Sequence, residues 1–84
     1  MNARRLLLAL TILALSEAYR VTEPALSRQC FTLGMLLRQG KKDDETFTRI
    51  LIFLDLETLC MKPEEVERRR LFTLHLADVY LSLE

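Results

Sequence analysis

The chain has 84 residues, half of them hydrophobic, with twelve basic and twelve acidic side chains and a formal net charge of zero. A domain this short buries only a little over about 60% of its unfolded surface, which leaves room for one thin core. Two glycines, two prolines and two cysteines exclude collagen-like, disordered and disulfide-scaffold classes, and the charge balance argues against a dedicated nucleic-acid binder, which carries a basic excess.

The first predicted helix covers residues 3–20. Arg4-Arg5 precede an apolar run from Leu6 to Leu15, and Ser16-Glu17-Ala18 follow. That order also outlines a signal peptide, with residues 1–18 as a cleaved or anchoring segment. The run is too short to span a membrane, which takes about 20 residues, so a retained, buried first helix and a cytoplasmic chain are the expectation.

Thr22 is the predicted N-cap of a second helix, 23–39, with Glu23 and Pro24 in its first turn. Gly40 stands where a left-handed residue ends a helix. Asp43 or Asp44 caps a third helix, 43–61, and the acidic cluster suits its positive dipole end. Pro63 opens a fourth helix, 63–83, followed by Glu64-Glu65. A strand over 49–54 is the weaker reading, because no period-two alternation flanks it. The short connections make consecutive helices antiparallel neighbours. The predicted fold is therefore all-α, one domain over 1–84, built as two helical hairpins in a tetratricopeptide-like pair or a small bundle.

Helical projection shows where the apolar surface points. On the second helix Leu26, Cys30, Leu33 and Leu37 form one stripe, bordered by Gly34, where a second backbone can come close. Ser27, Arg28 and Thr32 lie off that stripe, and Phe31 and Met35 make a smaller apolar patch. The third helix is apolar nearly all round, from Phe47 through Ile50, Leu51, Ile52, Phe53, Leu54 and Leu56 to Leu59, Cys60 and Met61. The first is similar. The fourth has a polar sector with Glu64, Glu67, Arg68, His75, Asp78 and Ser82, opposite an apolar arc that includes Phe72, Leu74, Leu76, Val79, Tyr80 and Leu81. A helix apolar on all sides must be covered on all sides. Four short helices cannot do this alone, and each large side chain left in water forfeits about 1.5–3 kcal/mol. A second protein chain, either a different protein or another copy, is expected to complete the core. Phe31, Met35, Ile52, Phe53 and Leu56 are the candidate partner-binding residues.

Residues 1–42 carry seven basic and two acidic groups, and residues 43–84 five basic and ten acidic. Halves of opposite sign attract, within a chain or between chains. Arg68-Arg69-Arg70 fan around a helix and are expected to be offset by Glu64, Glu65 and Glu67 rather than to bind phosphate. Cys30 and Cys60 belong to no C-x-x-C pair and are expected as free, buried thiols, with a mutual disulfide only in an oxidising compartment. His75 and Asp78 make a surface pair. No phosphate-binding loop, nucleophile motif or metal-ligand spacing occurs. The expectation is a non-enzyme with no cofactor, no metal, no nucleic-acid partner and no small-molecule substrate.

Residues 1–62 resemble the small tetratricopeptide-like chaperones of type III secretion, in particular the needle-subunit type. The resemblance is carried by the apolar first helix from Leu6 to Tyr19, by Thr22-Glu23-Pro24-Ala25 at the next helix start, by Leu36-Leu37-Arg38-Gln39-Gly40 at its end, and by Asp43-Asp44-Glu45. It implies a cytosolic protein with a concave apolar groove that shields an amphipathic helix of a client. The leading expectation is thus a chaperone or adaptor. The alternatives are a self-associating homodimer module and a secreted or membrane-associated small protein.

Overall fold

The computed structural model describes residues 2–83. They form α1 (Ala3–Tyr19), α2 (Pro24–Arg38), α3 (Asp44–Leu56) and α4 (Pro63–Leu81), with a 3₁₀ turn over Glu57–Cys60 after α3. The fold is all-α, and residues 49–54 lie inside α3.

Local chemistry explains most helix ends. The Asn2 side chain accepts from the Arg5 N–H at 2.7 Å and caps α1. Gly40, at φ 81°, ends α2. The N–H of Lys41 reaches the Leu36 carbonyl (2.9 Å) and that of Gly40 the Leu37 carbonyl (3.2 Å), which closes the last turn of α2. Asp43 caps α3, accepting from the Thr46 N–H at 3.1 Å and the Thr46 hydroxyl at 2.7 Å. These bonds favour the carboxylate and hold the Asp43 pKa below its usual value. The cap expected at Thr22 falls instead on Glu23, whose side chain makes no capping bond. Pro24 takes the first helical position, so the residue before it becomes the cap. The third helix was expected to reach residue 61; its α-geometry ends at Leu56 and the chain tightens into the 3₁₀ turn.

The helices close a ring in which α1 touches α2 and α4, and α3 touches α2 and α4. The α1/α2 seam is close because small residues line it. A Cβ on Gly34 would come within 2.6 Å of the Leu13 side chain. One turn further along, the Ser16 hydroxyl donates to the Ser27 carbonyl at 2.8 Å and the Ser27 hydroxyl to the Ser16 carbonyl at 2.7 Å. Ser27 is therefore buried, against the expectation that it lies off the packed face. The expected stripe of Leu26, Cys30, Leu33 and Leu37 is buried in the core, together with Leu8, Ile12, Phe47, Ile50, Leu54, Leu76 and Tyr80.

Polar groups pin the remaining joints. Arg5 is buried and donates to the carbonyls of Leu37 (3.1 Å) and Lys41 (2.8 Å) at the C-terminal end of α2. Arg69 reaches Glu57 at 2.7 Å, the Leu54 carbonyl at 3.0 Å and the Tyr19 hydroxyl at 3.3 Å. The acids on its own helix were its expected partners; it turns inward to Glu57 instead. Burial works against its charge, but Glu57 and Tyr19 outweigh that and raise its pKa. Cys30 is buried and Cys60 exposed, both as free thiols. The burial expected for Cys60 fails because the 3₁₀ turn carries it to the surface. No helix among the described residues is long and apolar enough to cross a membrane.

A candidate partner-binding face

The core stripe of each helix decides what is left outside. On α3, Phe47, Ile50 and Leu54 point into the bundle. Ile52 lies two residues from both Ile50 and Leu54, about 200° round the helix, and so points away from the core. Leu56, four residues on, shares that outer face. On α4, Arg69, Thr73, Leu76 and Tyr80 follow a 4-3-4 spacing and turn inward, with Leu76 and Tyr80 fully buried. Between those positions Leu71, Leu74, Asp78 and Leu81, spaced 3-4-3, form a second stripe that faces water.

Between the outer parts of α3 and α4 runs a groove of about 420 Å³, lined by Leu51, Ile52, Asp55, Leu56, Arg70, Thr73 and Leu74. Ile52 is 54% exposed, Leu56 56% and Leu74 67%. Asp55 and Arg70 are the charged members of the lining. Neither side chain enters an ion pair among the described residues, whose three salt bridges are Arg20–Glu17, Arg49–Glu45 and Arg69–Glu57.

The five candidate residues divide. Ile52 and Leu56 line this groove. Phe53 does not: it is half-buried, packs against the core and meets the Tyr19 ring edge-on at 5.9 Å. Phe31 is exposed on α2 in a shallow depression with Ser16, Glu17, Arg20, Ser27, Arg28 and Thr32, an apolar ring among polar neighbours. Met35 is half-buried, with the Arg38 guanidinium 4.0 Å from its sulfur. Leu74 was placed on the apolar arc of the fourth helix but not among the binding residues. Its offset of two from Leu76 is the signal that would have found it.

A second groove of about 420 Å³ lies between α1 and α4, lined by Leu7, Leu8, Thr11, Phe72, Leu76 and Val79, with Arg4 and His75 among its polar members. Arg4 is engaged with the Ser82 hydroxyl at 2.9 Å. No hydrogen bond joins His75 to Asp78. Among the described residues no three His, Cys, Asp or Glu side chains gather in a way that could hold a metal ion. Burial pushes the Cys30 thiol up to about 11, so it stays protonated at neutral pH, the wrong state for a nucleophile or ligand. The Tyr19 phenol is also raised, first by burial and then by its bond to Glu57.

No family model, curated protein or solved structure matches this chain.

Proposed function

We propose that this chain is a non-catalytic helical module that holds a helical segment of another polypeptide against its α3/α4 face. It would serve as a small cytosolic chaperone or adaptor. The observation that supports this reading is the run of Ile52, Leu56 and Leu74, three large apolar side chains more than half exposed along one groove. A contiguous apolar patch with a charged rim marks a protein-binding surface. A helix laid into such a groove recognises it by apolar side chains at i, i+3 or i+4, and i+7. Type III secretion is the specific setting suggested by the resemblance of residues 1–62 to needle-subunit chaperones.

Titration calorimetry with a designed amphipathic helix tests this. Saturable binding is expected for the wild type, with a negative heat-capacity change. I52D/L56D is expected to lose that binding at unchanged helix content. Equal binding by the double variant, or none by the wild type, would overturn the reading.

A further inference from the structure

We infer that the α3/α4 face is covered by the same face of a second copy of this chain, so that the resting unit is a two-fold homodimer. This rests on the reading of that face as a polypeptide-binding surface and names its occupant. A client helix would then enter by displacing the second copy.

The first support is area. The folded chain exposes 5661 Å², whereas a compact monomer of 9.8 kDa is expected to expose about 5,200 Å². The surplus of roughly 500 Å² is spread over the whole chain, and Ile52, Leu56, Leu71, Leu74 and Leu81, each more than half exposed on α3 and α4, carry part of it; a standard-size interface takes roughly 800 Å² from each partner.

The second support is charge. A two-fold contact sets a patch against itself, so the patch must carry both signs in matching places. Asp55 on α3 and Arg70 on α4 supply one of each in the same groove, and neither is paired within the chain. An axis through the groove sets Asp55 of each copy opposite Arg70 of the other. Two ion pairs then flank a centre formed by Leu51, Ile52, Leu56 and Leu74. A dedicated client surface has no need of this balance and could carry a single sign. With zero net charge, two copies also approach without long-range repulsion.

The test is analytical ultracentrifugation of the full chain over a wide concentration range, with the charge reversals D55R and R70D. A reversible dimer is expected for the wild type. Each reversal sets like charges together twice and should weaken the dimer about tenfold or more. Both positions are exposed, so helix content should not change. An equimolar mixture of D55R and R70D chains should recover wild-type association, because in the mixed dimer both pairs are attractive again. A role within one chain cannot be rescued by mixing. A wild-type monomer at every concentration, reversals without effect, or a mixture that fails to recover would each overturn the inference. A monomer that still binds the designed helix through Ile52 and Leu56 removes the dimer and leaves the proposed function standing; a monomer that binds nothing removes both.

Discussion

The ring of Tyr80 lies flat on that of Phe47, with centroids 3.8 Å apart and planes 10° from parallel. This contact joins the last turn of α4 to the first turn of α3. The Tyr80 hydroxyl completes the joint by donating to the Asp44 carboxylate at 2.8 Å and accepting from the Asp43 N–H at 3.1 Å.

The joint gives an alkaline signature. Burial, and then the bond to Asp44, push the Tyr80 phenol up to about 12, from 10.0. Below pH 10 the phenol is neutral in the folded and unfolded chains alike, and stability is unaffected by it. Above pH 10 the unfolded chain gives up the proton while the folded chain keeps it, so stability falls as pH rises towards 12. Urea midpoints for wild type and Y80F at pH 9, 10 and 11 should show a shallower fall in the variant. A residual slope is expected from Tyr19, which is raised in the same direction. Y80F should also cost about 1 kcal/mol at neutral pH. Identical slopes would contradict the assignment.

Arg5 fastens the end of α2. Its guanidinium donates to the Leu37 carbonyl, at the negative end of that helix's dipole, and to the Lys41 carbonyl just beyond the helix. R5A takes the charged donor from the Leu37 carbonyl, in a buried bond, and from the part-buried bond to Lys41, and should cost about 1.5–3 kcal/mol in chemical denaturation. R5K keeps the charge but not the length and planar donor geometry of the guanidinium and should fall between wild type and R5A. Stability equal to wild type in R5A would show the bonds to be incidental.

At Gly34 two effects oppose each other. Alanine gains about 1 kcal/mol of helix propensity, but its Cβ would sit 2.6 Å from Leu13, and overpacking costs about 1–3 kcal/mol. G34A should therefore be mildly destabilising in the wild type. In an L13A background the obstruction is gone, and G34A should be neutral or stabilising. A thermal-melt double-mutant cycle reads this coupling directly, and additive effects would place the strain elsewhere.

Phe53 and the Ile52/Leu56 pair should separate stability from binding. F53A removes a ring packed on Tyr19 and the core and should lower stability by about 2–4 kcal/mol. I52D/L56D should leave the denaturation midpoint nearly unchanged at chain concentrations low enough for the wild type to be monomeric. The opposite pattern would mean that Phe53 faces the partner and the pair is core.

The Asp43 cap predicts an acid limb. Its carboxylate is stabilised by Thr46, so this contribution is present above the usual carboxylate range and lost as pH falls through it. D43A should cost about 1 kcal/mol at pH 7 and far less at pH 2, as judged from urea curves at the two values.

Much of the fold was legible because the signals were local. Gly40, Asp43 and Pro63 act on their own helix ends, and the stripe from Leu26 to Leu37 follows from spacing alone. What escaped was set by neighbours distant in sequence. Arg5 reads as a charged flank until α2 presents its carbonyls. Ser27 reads as solvent-facing until Ser16 lies opposite it. The excess of apolar surface was visible in composition, but which residues would carry it was not. An all-round apolar helix gives no direction, so Phe53 and Ile52, adjacent in sequence, were indistinguishable until the core stripe was known.

The close α1/α2 seam also bears on the order of assembly. Its contacts lie near one another along the chain, so forming them closes only a short loop, whereas bringing α4 back to α1 closes a loop that spans both intervening helices. The first hairpin is thus the natural nucleus, with α4 docking late and opening first. Amide hydrogen exchange should accordingly leave α1 and α2 protected longest, and a face built on α4 would be the part of the protein most easily remodelled by whatever binds it.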